Sequence, residues 1–156
     1  MTGPITSSVI HTTFTLDRRF DASLTRLWRA FATEAGKRQW TACMEGMEIT
    51  EYTMDFRPGG LEINRIIDAE GIEHLFHAHY LDILPEQRMI YAYAMLLGDQ
   101  RISTSQVTFQ FRTEGPGSAF TYTEQIAFLD GHQRPEDRIS GTAKGFDVLE
   151  RKLAEM

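Results

Sequence analysis

Three groupings of residues in this chain are of types and spacings that could do chemistry. The first is a carboxylate within an aromatic strand pattern. Phe120, Tyr122 and Glu124 fall at alternate positions and share one face if the stretch is extended. A carboxylate in such surroundings is desolvated, which raises its pKa and suits it to ligand recognition or proton transfer. The competing reading is a structural acid, hydrogen-bonded to an Arg or a Tyr hydroxyl. The second grouping is Glu62 and Asn64, which extend the polar spot if the even positions of their strand face inward. Leu61 and Ile63 favour the opposite assignment, and both stay open. Two inward carboxylates with tyrosines nearby would suit an acid/base pair.

His74, His77 and His79 form the third grouping, a metal cluster on paper. In a strand His77 and His79 share a face while His74 points oppositely, so the ligands do not converge and no metal is assigned. The single cysteine, Cys43, has no evident base and reads as a loop thiol rather than a nucleophile. Ser103 and Ser105 belong to no Ser-His-Asp arrangement and no nucleophile elbow. Arg57-Pro58-Gly59-Gly60 lacks the Walker spacing and a following helix, and reads as a hairpin turn. No motif asks for a cofactor.

Composition narrows the partners. A chain of 156 residues with 42% hydrophobic and 24% charged residues is an ordinary globular domain, able to bury about 70% of its unfolded surface. A net charge of −6 without a Lys/Arg cluster argues against nucleic acid and anionic membranes. One cysteine makes no disulfide framework. No signal peptide and no apolar run of spanning length are legible, so a cytoplasmic location is expected.

The elements that must position these residues follow from periodicity. Residues 1–8, rich in Thr, Ser, Gly and Pro, read as a flexible tail, and 9–156 as a single domain. Val9 to Phe20 alternates as a strand. Asp21 or Ser23 can cap a helix whose apolar face is Leu24, Leu27, Trp28 and Phe31. A second short helical turn, Glu34 to Trp40, follows Thr33 and returns Trp40 to the core. Six strands are expected next: Met47–Phe56, Leu61–Asp68, Ile72–Leu84, Arg88–Leu97, Arg101–Thr113 and Ser118–Leu129. The last element is a long helix from Pro135 to Met156, striped by Ile139, Ala143, Phe146, Leu149 and Leu153. Gly141 and Gly145 flank that stripe, either letting the helix approach the strands or leaving room for a ligand.

Turn positions set the strand registers. Asp68 opposite Ile72 places Asn64 against Phe76 and Glu62 against Ala78. Thr113 opposite Ser118 places Phe111 with Phe120, Phe109 with Tyr122, and Val107 with Glu124. Met95 opposite Ser103 brings Tyr93 to Ser105 and Tyr91 to Val107. One face then carries Tyr52, Met54, Phe56, Phe76, Tyr80 and Met95 together with these aromatics, and the terminal helix is the element to cover it.

The order of elements resembles the SRPBCC superfamily, also called START-like or birch-pollen-allergen-like. Within it the chain is similar to the branch of the activator of the heat-shock protein 90 ATPase, in a bacterial single-domain type. The resemblance is carried by Arg19-Phe20-Asp21-Ala22, Trp28, Trp40 and Asp55 to Gly60. It continues through Tyr80 to Pro85, Arg88 to Tyr91 and Gly145 to Leu149, covering about Phe14 to Leu153. Gly59 to Glu62, Arg101 to Ser105 and Thr123 to Gly131 mark the subgroup.

The resemblance implies an α+β helix-grip fold, a seven-stranded curved antiparallel sheet around the C-terminal helix. It implies a cavity between them for a small hydrophobic or amphipathic molecule, with no cofactor, in a monomer or homodimer. Residues placed around that cavity are Tyr52, Met54, Glu62, Asn64, Phe76, Tyr80, Tyr91, Tyr93 and Met95. Ser105, Val107, Phe109, Tyr122, Glu124, Gly145 and Phe146 complete the set. Binding is the leading function. A cyclase- or hydrolase-like reaction with Glu124 as candidate catalytic acid or base is one alternative. A stress-related co-chaperone of the heat-shock ATPase is another, although co-chaperone members carry an additional domain not legible here.

Overall fold

Alternate residues along each extended stretch meet opposite surroundings, and that contrast fixes the architecture. A computed structural model describes residues 6–41 and 45–155. The chain runs β1 (Val9–Phe20), α1 (Leu24–Ala32), α2 (Glu34–Thr41), β2 (Glu48–Met54), β3 (Leu61–Ile67) and β4 (Glu73–Leu84). It continues with β5 (Arg88–Leu97), β6 (Gln100–Glu114), β7 (Gly117–Leu129) and α3 (Pro135–Glu155). Cys43 and residues 1–5 lie outside the described residues. The strands form one antiparallel sheet in the order β1-β7-β6-β5-β4-β3-β2. β2 to β7 is thus a meander of hairpins, and β1 returns to lie along β7.

The registers read from the turns are those of the structure. Asn64 faces Phe76 and Glu62 faces Ala78. Phe109 faces Tyr122, Val107 faces Glu124, and Tyr93 faces Ser105. Bulges fall at Thr50, Leu81 and Ile102, beyond these pairs. The open question on β3 resolves to the even positions, because Glu62 and Asn64 are 2% and 5% exposed while Leu61 is 38% exposed. Leu61 and Ile63 sit on the outer face against His79 and His77 across the ladder. Cross-strand contact with those rings gives them partial cover there.

The expected second strand, Met47–Phe56, is shorter at both ends in the structure. Asp55 N donates to Leu61 O and Arg57 N to Asp55 O, each at 2.9 Å, and the second bond turns the chain at Phe56. Of the two candidate caps for α1, Ser23 is used: its Oγ accepts from Arg26 N at 3.2 Å. Thr33 Oγ1 accepts from Gly36 N at 3.1 Å and so opens α2.

All three helices lie against the inner face. Phe146, Leu149 and Leu153 of α3 are buried, with Ile139 packed at the margin of the core. Phe109 ties the layers together, its ring centroid 4.9 Å from those of Phe31 in α1 and Tyr122 in β7, and 6.0 Å from that of Phe146 in α3. These edge-to-face contacts add about 0.5–1.5 kcal/mol each beyond area burial. Arg18 of β1 donates to Asp147 Oδ1 at 2.6 Å and to the Ala143 carbonyl at 3.3 Å, and Arg26 of α1 donates to Leu153 O at 2.6 Å. The terminal helix is therefore fastened near its middle and at its end.

Gly36 marks where α2 touches α1. A Cβ there would lie 2.6 Å from Arg29 O and 2.9 Å from Ala30 Cα, both main chain, whereas one at Gly141 would meet nothing within 4 Å. Alanine substitutions should consequently act with opposite sign. Gly36→Ala is predicted to lose about 1–3 kcal/mol by overpacking. Gly141→Ala is predicted to gain up to about 1 kcal/mol from helix propensity. Urea denaturation midpoints of the two variants measure this, and shifts of the same sign would contradict the packing described.

Candidate functional site

Two buried carboxylates face the helices from the sheet, and each is met by a cation from a different helix. Glu124 of β7 is 0% exposed. Its Oε2 accepts from Tyr93 Oη at 2.5 Å, Ser105 Oγ at 2.7 Å and Arg138 Nη1 at 3.0 Å, while Oε1 accepts from Tyr122 Oη at 2.5 Å. Arg138 comes from the first turns of α3 and also donates to Ser103 Oγ at 2.7 Å and Tyr93 Oη at 2.9 Å. Four donors occupy about the four lone-pair positions a carboxylate offers. Glu124 is thereby the sheet's half of a clasp that holds the start of α3.

Glu62 of β3 sits at the other side of the inner face. Tyr52 Oη donates to its Oε2 at 2.7 Å and Tyr80 Oη donates to Oε1. Lys37 Nζ lies 3.2 Å from Oε2 and 3.4 Å from Oε1. Lys37 is itself 5% exposed, with its ammonium 5.2 Å from the Trp40 ring and 5.8 Å from the Phe31 ring. The close approach at Gly36 drives this side chain of α2 inward. β4, β5 and β6 separate the two carboxylates, four strand spacings or roughly 19 Å along the sheet. They do not form a single acid/base pair.

Between the two clusters lies a cavity of about 260 Å³. Ten of the residues singled out from the sequence line it: Glu62, Asn64, Phe76, Tyr91, Tyr93, Met95, Phe109, Tyr122, Gly145 and Phe146. At Gly145 a Cβ would meet nothing within 4 Å, so this glycine leaves room rather than permitting a close approach. Six singled-out residues are not in the wall. Tyr52 and Tyr80 hold Glu62, Ser105 holds Glu124, and Glu124 is committed to Arg138. Val107 is core between Tyr91 and Glu124, and Met54 Sδ lies 3.7 Å from the Tyr52 hydroxyl.

Sequence reasoning missed Lys37, Thr41, Met47, Ile66, His74 and Thr142 in the wall, and Arg138 in the clasp. Trp40, expected only as core, also lines the cavity and donates from Nε1 to Ala30 O at 3.0 Å. His74 faces inward with Nε2 2.9 Å from Asp68 Oδ2, and that ring, with the Ile72 and Glu70 amides, holds the Asp68 carboxyl below its ordinary range. His77 and His79 stack on the outer face, 5.3 Å apart, at the edge of a broad open hollow of about 690 Å³. Two polar atoms of the inner wall have no hydrogen-bond partner among the described residues, Asn64 Oδ1 and Thr41 Oγ1.

A curved seven-stranded antiparallel sheet gripping a C-terminal helix is the helix-grip fold, of the α+β class. The model of the activator of Hsp90 ATPase homolog 1-like family matches residues 21–156, and the chain belongs to that family. A Rhizobium leguminosarum protein of solved structure is 42% identical, over 97% of this chain and 99% of its own, with a TM-score of 0.93. A Rhizobium loti protein is 38% identical over 92% of this chain and 98% of its own, with a TM-score of 0.84. An AHSA1-like protein from Aeromonas hydrophila, 15% identical over 92% and 93% at a TM-score of 0.71, shares the fold. Curated proteins yield no match. Among the described residues no helix is long and apolar enough to cross a membrane.

The clasp makes a quantitative prediction. Arg138→Met would strand a fully buried carboxylate and should cost about 3–5 kcal/mol in chemical denaturation. Glu124→Gln leaves a guanidinium that is 13% exposed and partly hydrated, and should cost less. Equal losses would argue against the asymmetry.

All five tyrosines, Tyr52, Tyr80, Tyr91, Tyr93 and Tyr122, have hydroxyls pushed well above their ordinary range. Burial is the leading cause in each, followed by neighbouring Glu62, Glu124 or another tyrosine. The unfolded chain ionises these groups near pH 10 while the fold keeps them protonated, so their contribution is complete below about pH 10. Above it, stability should fall by up to about 1.4 kcal/mol per pH unit for each tyrosine. Tyrosinate absorbance should then appear only together with unfolding; a native protein titrating normally near pH 10 would refute the burial described.

Proposed function

We propose that the chain binds a small amphipathic molecule, mostly apolar, in the cavity between the sheet and α3. The observation that carries the reading is the cavity itself: about 260 Å³, partly open, lined by seven aromatic rings with Met47, Ile66 and Met95, and by polar side chains at six positions. That volume is just below the roughly 300–1,000 Å³ of drug-sized sites, so the fitting ligand is compact. Gly145 supports the reading, because a helix interior bears about 1 kcal/mol for a glycine where alanine would meet no neighbour. Glu124, on which a cyclase- or hydrolase-like reaction would depend, is absent from the wall and engaged by four donors. The reading is therefore one of binding rather than turnover.

Native mass spectrometry of freshly purified protein is expected to show a retained small molecule in part of the population. Gly145→Leu fills the space beneath α3 and should reduce that retained fraction at least several-fold while the protein stays folded by circular dichroism. A folded variant with undiminished retention would falsify the assignment of the ligand to this cavity.

A further inference from the structure

The wall of the cavity is electrically balanced but not balanced in hydrogen bonds. Lys37 and Glu62 neutralise each other within it, and Glu62 receives Tyr52, Tyr80 and Lys37, which uses its lone pairs. Arg138 and Glu124 do the same at the clasp. The inward His74 is engaged by Asp68. Two groups remain. Asn64 is 5% exposed, lies between Tyr52 and Phe76 on the inner face, and its Oδ1 has no donor among the described residues. Thr41 Oγ1, at the end of α2 in the same wall, is likewise buried and unpartnered. A buried amide oxygen left without a donor carries its full desolvation penalty, which a ligand can relieve.

We infer that the cavity selects a neutral, flat molecule bearing a hydroxyl or amide N–H, with that donor on Asn64 Oδ1 and Thr41 Oγ1 completing the contact. The inference rests on the cavity being a binding site and adds the chemistry of its occupant. An anion is disfavoured because the only ammonium in the wall among the described residues, that of Lys37, is already paired with Glu62. A cation is disfavoured because the Glu62 carboxylate is filled. Flatness follows from the rings that bound the space: Phe76 and Tyr93 lie 4.7 Å apart at 37°, with Tyr91 against Phe76 at 5.9 Å. Aromatic faces of this kind favour a planar apolar body.

Four probes differing in one substituent test this at neutral pH: 2-naphthol, 2-methoxynaphthalene, naphthalene and 2-naphthoate, each titrated against the wild-type protein by fluorescence or calorimetry. Naphthol should bind about tenfold more tightly than naphthalene or the methoxy compound, the scale of one buried hydrogen bond. Naphthoate should bind most weakly. Asn64→Leu, which replaces the acceptor with an apolar group of similar size, should retain naphthalene and lose the preference for naphthol. Equal affinities of wild type for naphthol, its methyl ether and naphthalene would overturn the donor assignment while leaving the cavity as a binding site. Tightest binding of naphthoate would overturn neutrality, and an unchanged preference in a folded Asn64→Leu would remove Asn64 as the acceptor. Uptake of none of the four would take the binding reading down with it. The wild-type series needs no variant, so a misfolded Asn64→Leu leaves the test intact.

Discussion

A carboxylate carried into an aromatic interior has to be met there by donors, and this chain imposes that requirement twice on one sheet. Glu124 and Glu62 stand on β7 and β3, near opposite margins of the concave surface, and neither strand supplies the countercharge. The helices do. Arg138 reaches Glu124 from α3, and Lys37 reaches Glu62 from α2. Two ion pairs buried to this degree are specifiers more than stabilisers, since apolar replacements often serve stability as well. What they define is where each helix must sit. Tyrosine hydroxyls complete both cages, which accounts for the inward placement of four of the five tyrosines, Tyr52, Tyr80, Tyr93 and Tyr122.

The space between the cages follows from that placement. α2 is pinned on one side and α3 on the other, with Phe109, Tyr122 and Phe146 packed between them and the sheet. The apolar stripe of α3 is satisfied along Phe146, Leu149 and Leu153, but its earlier turns diverge into Thr142 and Gly145 rather than bulky side chains. A helix that was apolar throughout would close this region. The cavity thus coincides with the turns where the stripe of large residues is interrupted.

Much of this was legible in the sequence because turns fix registers and registers fix faces. Thr113 to Ser118 was enough to place Glu124 on the inner side, whereas Asp68 to Ile72 set the register of Glu62 and Asn64 but left their face open against the contrary apolar pair Leu61 and Ile63. That pair misleads because the outer face offers cross-strand cover from His77 and His79. Arg138 and Lys37 were not legible. Each is a charged residue on a helix flank, and its burial is decided by a partner distant in sequence rather than by local periodicity. Gly36 was the available signal for Lys37, since a glycine inside a short helix asks for a close neighbour, and that neighbour is α1. Arg138, one position before the apolar stripe residue Ile139, gave no such sign.

The position of β1 sets an order on assembly. Val9 pairs with Leu129 and Phe20 with Ser118, so this strand closes contacts across roughly a hundred residues, whereas every other pair in the sheet joins consecutive strands. The meander can zip hairpin by hairpin, but β1, which precedes it, has no partner until β7 exists. That same strand carries Arg18, which holds the middle of α3. β1 is therefore among the last strands to be built in, and the helix that lines the cavity is held by a strand about 125 residues away in sequence.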